Sequence, residues 1–421
     1  VAALPSYLIA FAVGPFDVQE GEALAAHGPE RDPVPFRVIT PRGRGAQAAY
    51  ALAHTAPLLD HLEDYTQRPY PYAKLDLLAV PDFDAGAMEN PGLITFRTSL
   101  LLVDERSADW QRRAFTSVTA HELAHMWFGD LVTMSWWNGI WLNEAFATFM
   151  EMLTTDAYRP DWQRWVDFGS ARSAAFDTDS LTTTRAIEYE VITAADAEGM
   201  FDVLTYEKGA SVVRMLQQYL GEDAFQAGIR QYLRTHQYAN TETSDLWDAL
   251  EDATGEPVRD MMDAWIFTPG HPVVDITRTR GGVRLSQDRF NFQADPGAGV
   301  TAPPPQQRPV PVVVRVGTTN GEATQRVLLR DAEVEVPMAG EPTWIVGNHH
   351  SNGFYRVALA DTDLDATASA ALASLSASGW PTVGNVPAPL VAAPGTGAVL
   401  PIVGASVAAI TGDTSVSVAV S

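Results

Sequence analysis

The sequence predicts an α+β fold, with helices dominating the first two thirds of the chain and strands the part that follows. Three observations carry this. Apolar residues recur at helical spacing in "GAQAAYALAHTAPLLDHLEDYT" (45–66) and again over 108–128, 142–153 and 205–221. Between the first of these and the second lie two strand-like runs, "AKLDLLAVPDF" (73–83) and "GLITFR" (92–97). From Thr268 to Leu359 the pattern shifts to short β-rich runs, "PVPVVVRVG", "TQRVLLR", "TWIVG" and "GFYRVAL", which read as a small sandwich.

Taken in order, "SYLIAFAVGPFDV" (6–18) alternates apolar and small residues and reads as a strand. "DAGAMENP" between the strands at 73–83 and 92–97 is rich in turn formers. "TYEKGASVVRMLQQYLG" (205–221) is an amphipathic helix with Gly221 as its stop, and further helices run to about Phe267. Ala366 to Gly412 holds no charged residue, and its composition predicts a poorly ordered tail. Its apolar part, Leu390 to Ile410, has the length of a membrane span, but its prolines and glycines argue against a spanning helix. No membrane span is expected.

Composition narrows the function. A formal net charge of -24 opposes nucleic acid or an anionic membrane as a partner. With no cysteine in the chain, there is neither disulfide nor thiolate chemistry, and a bound metal must be held by nitrogen and oxygen. No charged segment followed by an apolar one opens the sequence, which leaves the location open with the cytoplasm favoured.

The densest chemistry lies in "HELAHMWFGDLVTMSWWNGIWLNEAF" (121–146). His121 and His125 stand one helical turn apart and share a face, which suits one Zn²⁺ per chain. Glu122 sits where it can hold a water beside that ion. Glu144 becomes the third ligand if the chain turns through "WWNGIW" into a second helix. With nine histidines in the chain, about 0.01 chance matches to His-Glu-x-x-His are expected, so the motif is specific. The longer variant that uses a third histidine needs glycine at 128 and histidine at 131, where this chain has Phe128 and Leu131. Glu151, two turns after Glu144, is either an acceptor for a ligand histidine or an exposed glutamate.

A zinc site of this kind makes a water acidic enough for Glu122 to act as general base and to pass the proton to a leaving amine. That predicts peptide or amide hydrolysis without saying where in a peptide the cut falls. Two further stretches bear on this. In "GAMEN" (86–90), small Gly86 and Ala87 let a peptide backbone approach a strand edge, and Glu89 could bind a free α-ammonium. The alternative there is a turn with a solvated glutamate. In "TYEKGA" (205–210), Tyr206 could donate to an oxyanion, or simply pack.

These three motifs, in this order, resemble the aminopeptidase N family of gluzincin zinc peptidases. The resemblance covers roughly residues 5 to 360, and "FTPGHPVVDI" (267–276) is similar to the family's junction between two domains. It implies a truncated N-terminal β-domain over 1–20, a thermolysin-like catalytic domain over 21–270, a β-sandwich over 271–360, and the tail over 361–421. By position it implies His121, His125 and Glu144 as zinc ligands, and Glu122 as base. Tyr206 would stabilise the tetrahedral intermediate. Glu89 would anchor the substrate amino terminus, within a substrate-binding stretch of Gly86, Ala87, Met88, Glu89 and Asn90; Met88 would line the first side-chain pocket. The implied substrates are peptides with a free amino terminus. Two alternatives stay open, a thermolysin-like endopeptidase and a non-catalytic peptide-binding fragment, the latter because most of the family's N-terminal domain is not represented.

Overall fold

The computed structural model describes residues 4–24, 33–291, 306–377 and 390–392. The first sheet is built from β1 (Phe16–Glu20) and β2 (Phe36–Pro41), then, after helices α1 (Ala49–His54) and α2 (Ala56–Thr66), from β3 (Leu75–Val80), β4 (Ala87–Met88) and β5 (Leu93–Arg97). Its order is β1-β2-β3-β5-β4. The centre is parallel, since β3 pairs in parallel with both β2 and β5, and β4 lies antiparallel to β5 at the edge. β3 is buried on both faces, as expected of a central strand reading Leu-Asp-Leu-Leu-Ala-Val. Its one charge, Asp76, is held by Arg37 Nε at 2.7 Å and by Lys74 Nζ at 2.7 Å.

The helical part follows: α3 (Thr98–Leu101), α4 (Asp109–His125), a short strand β6 (Val132–Met134), α5 (Trp141–Tyr158), α6 (Arg164–Asp179) and α7 (Ala194–Glu198). A π-helical turn, Leu204–Lys208, runs directly into α8 (Gly209–Leu220). The helix expected over 205–221 therefore begins with a wider turn than an α-helix. It ends as expected, because Gly221 takes φ +95°, a conformation that side-chain-bearing residues seldom adopt. Helix α9 (Glu222–His236), β7 (Ala239–Thr241), α10 (Thr243–Thr254) and α11 (Val258–Ile266) complete this part, and β7 pairs in parallel with β6.

The β-rich part holds two sheets. Strands β8 (Pro272–Thr279), β9 (Gly282–Arg289), β10 (Val310–Thr318), β11 (Gly321–Leu329), β12 (Glu333–Pro337), β13 (Pro342–Val346) and β14 (Arg356–Leu359) arrange as β11-β10-β13 and as β12-β9-β8-β14, the latter extended by Leu390–Ala392. One continuous apolar cluster joins these strands to the helices, from Leu77 and Phe115 through Trp265 to Val274, Val312 and Val357. Phe176 of α6 stacks on Phe354 with ring centroids 4.3 Å apart.

Two local expectations are corrected. Residues 6–18 do not form one strand. Ser6–Leu8 is a 3-10 turn, and pairing begins only at Phe16, beyond Pro15. Ile9, Phe11 and Val13 are 69%, 89% and 92% exposed, so their alternation meets no partner strand among the described residues. The stretch from 361, expected as a poorly ordered tail, instead opens with a helix, Asp361–Ala377. Asp363 pairs with Arg278, and Thr367 Oγ1 bridges the backbone N and O of Ile345, so two polar anchors hold the helix on β8 and β13. Apart from Leu390–Ala392, the remainder of that stretch lies outside the described residues. Among the described residues, no helix is long and apolar enough to cross a membrane.

Candidate metal centre

Helix α4 brings the first two candidate ligands together. Its start is fixed by Gln111, whose side chain accepts from the backbone N of Ala108 at 3.0 Å. Its last turn ends at His125, and after the loop through Trp136 and Gly139 helix α5 returns with Glu144 in its first turn. His121 Nε2 and His125 Nε2 lie 3.1 Å apart, and Glu144 Oε2 is 3.4 Å from the former and 3.3 Å from the latter. Ligand atoms on a tetrahedral zinc lie about 3.3 Å apart, so this triangle has the size of one face of such a site.

The hydrogen-bond pattern agrees with that use. His125 Nδ1 donates to the carbonyl of Phe128 at 2.9 Å, which puts the proton on Nδ1 and leaves the Nε2 lone pair facing the triangle. His121 Nδ1 faces Glu151 Oε2 at 3.5 Å, so Glu151 is turned to the histidine rather than to solvent. Two imidazole lone pairs converging in a buried place repel each other unless a cation lies between them. Burial alone would depress both imidazoles, but the surrounding carboxylates win. Glu144 and Glu151 push His121 up to about 9, and Glu89 and Glu144 push His125 up to about 10. Protons and a metal ion compete for the same lone pairs, and the negative potential here favours either. The residues therefore fit a divalent cation.

Around this triangle stand further groups. Oxygens of Glu89 and Glu122 and a nitrogen of His125 lie within 4.8 Å of one another. Burial, reinforced by Glu89 and Glu144 and opposed by the two histidines, raises Glu122 to about 8. Its Oε2 is buried without a hydrogen-bond partner among the described residues. Glu89 is 5% exposed and follows edge strand β4, which carries Ala87 and half-buried Met88. Asn90 is tied down on both sides, accepting from Thr95 Oγ1 at 3.0 Å and donating to the carbonyl of Leu8 at 3.2 Å. The Gly86 carbonyl accepts from Arg97 N at 2.8 Å, and a methyl group there would meet only Leu100 at 3.5 Å. The Tyr206 ring stacks on His121 with centroids 6.2 Å apart. Burial first, then Glu144, keeps the phenol protonated far above its ordinary range.

Two neighbours carried no readable signal in the sequence. Tyr7 comes from the N-terminal segment, 3.4 Å from Asn143 Nδ2, and its phenol is raised by burial and then by Glu89 and Asp130. Asp130 is fully buried with both carboxylate oxygens unpartnered among the described residues, and burial, then Glu89 and Glu122, raise it well above the carboxylate range. Tyr7 is too distant in sequence to belong to a motif, and Asp130 reads as an ordinary loop acid.

Comparison with known proteins gives the family of the chain that carries this site. The Peptidase family M1 domain matches residues 50–265, more than half of the chain and a span that includes the whole triangle. The chain belongs to peptidase family M1. Among M1 relatives, Aminopeptidase M1-C of Oryza sativa subsp. japonica is 38% identical over 364 residues, which cover 84% of this chain and 40% of that protein. Aminopeptidase M1 of Arabidopsis thaliana is 39% identical over 375 residues, covering 85% and 41%. A puromycin-sensitive aminopeptidase of Caenorhabditis elegans is 37% identical over 369 residues, covering 86% and 38%. The chain thus spans about two fifths of the length of these M1 relatives.

Proposed function

We propose that this M1 chain carries the catalytic part of a zinc aminopeptidase, which hydrolyses the first peptide bond of peptides with a free amino terminus. One observation carries the reading: His121, His125 and Glu144 converge within 3.1 to 3.4 Å while Glu122 and Glu89 stand beside them. The names of the M1 relatives support the reaction class. In the same reading, residues 21–270 form a thermolysin-like catalytic domain, 271–360 a β-sandwich, and 1–20 the end of a preceding domain.

His121, His125 and Glu144 would hold one Zn²⁺. When bound, it would polarise the scissile carbonyl and acidify the attacking water. Glu122 takes the proton from that water and returns it to the leaving amine. Its elevated affinity for a proton suits both halves of that task. Tyr206, kept neutral, donates its hydroxyl hydrogen to the oxyanion that develops as the carbonyl is attacked. The open edge of β4 accepts the substrate backbone as an added strand. Glu89, at the end of that edge, receives the α-ammonium, which replaces lost hydration of both groups by a charge-assisted contact. Met88 lines the first side-chain pocket, and Gly86, Ala87 and Asn90 complete the stretch that holds the substrate.

Release of a fluorogenic amine from leucine and alanine amides tests this, run beside the N-acetylated amides with and without a chelator. The expected result is turnover of the free-amino substrates only, abolished by the chelator and restored by zinc. Equal turnover of the blocked amides would make the protein an endopeptidase. Zinc binding with no turnover of either would make it a peptide-binding part whose catalysis needs the three fifths of length its relatives have in addition.

A further inference from the structure

Tyr206 sits in the middle of the π turn Leu204–Lys208. Such turns close a wider hydrogen-bonded ring than an α-helix and occur as single turns, frequently at functional sites. Both ends of this one are held. At the front, Arg185 Nη2 donates to Asp202 Oδ1 at 2.5 Å and to Thr205 Oγ1 at 2.9 Å, and Asp202 Oδ1 accepts from Leu204 N at 2.9 Å. At the rear, Lys208 Nζ lies 2.9 Å from Asp179 Oδ1, and both side chains are completely buried.

The rear clamp draws on three other parts of the chain. Asp179, at the end of α6, also accepts from Gly270 N at 3.0 Å and from Thr184 Oγ1 at 2.8 Å. Its Oδ2 faces His271 Nδ1 at 3.3 Å. Arg356 Nε of β14 donates to His271 Nε2 at 3.3 Å, so Nε2 carries no proton and Nδ1 is the nitrogen that donates to Asp179. His271 is therefore neutral, and one carboxylate faces one ammonium. Burial, the largest influence on His271, pushes it down to about 4, in keeping with that state. Removing either charge would leave the other buried and unpaired.

We propose that Asp179, Lys208 and His271 are positioning residues that fix the register of the π turn and thereby aim the Tyr206 hydroxyl at the reacting carbonyl. This rests on the reading of Tyr206 as the oxyanion donor. Lys208 follows Tyr206 by two residues in the same turn, so holding its ammonium on Asp179 restrains the backbone that carries the phenol. Displacing a positioned group by about 1 Å costs roughly 100-fold in rate, whereas a pair that only stabilises the fold would leave the surviving molecules fully competent.

Calorimetric titration of the zinc-loaded chain with two probes separates these roles. The first, 1-amino-3-methylbutylphosphonate, presents tetrahedral oxygens to Tyr206. The second, leucine, offers the same ammonium and side chain without them. Lys208→Met and Asp179→Asn are each expected to weaken phosphonate binding about 10-fold or more and leucine binding less than about twofold. Tyr206→Phe should weaken the phosphonate at least as much, and adding Lys208→Met to it should cost nothing further. If a single variant does not fold, the charge-balanced Asp179→Asn/Lys208→Met chain takes its place and should show the same pattern. Equal weakening of both probes, or a loss that adds in full to that of Tyr206→Phe, overturns the proposal. So does a charge-balanced chain that cannot fold when Tyr206→Phe can, since the pair is then a folding element. Unchanged phosphonate affinity in Tyr206→Phe alone would remove the tyrosine's role itself, a failure visible before the network is touched.

Discussion

Glu122 shows how one side chain acquires a task from its surroundings. It lies beside Glu89 and His125, and its Oε2 finds no partner among the described residues. Glu122→Gln keeps the size and removes the proton acceptor. It should lower kcat by at least about 100-fold while zinc content, measured by atomic absorption, stays at one per chain. A variant that retained its rate would assign the base elsewhere. The same scale shows what could be read in advance. His121, His125 and Glu144 were legible because helical spacing is a fixed geometric rule, and a motif needs only one helix and one return to close. Asp130 and Tyr7 are not, because what ties them to the site is burial together with the charge of Glu89, distant from both in sequence. Glu151 could be placed on the face of Glu144 by counting turns, but only the fold decides that it faces His121 and not water.

At the level of elements, α5 and α8 meet more closely than side chains ordinarily allow. A Cβ on Gly209, the first residue of α8, would lie 2.6 Å from the Cβ of Ala145, the neighbour of Glu144. Gly209→Ala must therefore push the two helices apart at the site. A loss of about 1 to 3 kcal/mol is expected in urea unfolding, together with weaker zinc binding, because Glu144 moves with Ala145. If the variant is as stable as the parent and binds zinc equally, the close approach has no such consequence. Helices and central strands are readable from periodicity: α4 and α5 lie where apolar spacing puts them, and β3 and β5 fall inside the strand-like runs 73–83 and 92–97. The segment at 6–18 was not, since alternation specifies a strand only when a partner is present, and Ile9, Phe11 and Val13 meet none among the described residues. The π turn was equally invisible, because its residues suit an α-helix and only the clamps at its two ends select the wider form.

Over the whole molecule, the stability of the chain should carry the mark of His271. This imidazole is fully buried and neutral, with a pKa of about 4 against the ordinary 6.5, because burial disfavours its charge. As pH falls from 6.5 towards 4, the unfolded chain takes up a proton that the folded chain refuses. The contribution of His271 is therefore complete above pH 6.5 and is lost progressively on the way to pH 4. The shift is worth about 3 kcal/mol in all. In urea unfolding of the metal-free chain at pH 7 and pH 4.5, His271→Asn should lose about 2 kcal/mol less than the parent between the two conditions. Parallel losses would mean that His271 titrates alike in both states.

The network around His271 also bears on where this molecule can be cut. The family match stops at residue 265, yet Gly270 and His271 lie just beyond it, and Arg356 lies a further strand-rich region away. A chain ending at 267 would contain every residue named in the three motifs. It would nevertheless lose two of the donors on Asp179, Gly270 N and His271 Nδ1, while Phe176 of α6 would lose its stacking partner Phe354 and the Trp265 indole of α11 the Pro309 carbonyl it donates to. Such a chain is expected to unfold non-cooperatively or to aggregate, where one ending at 377 melts in a single transition by circular dichroism. The stretch that the family model matches is thus shorter than the stretch whose contacts hold Asp179 in place, and anyone trimming this protein for study should take the second as the boundary.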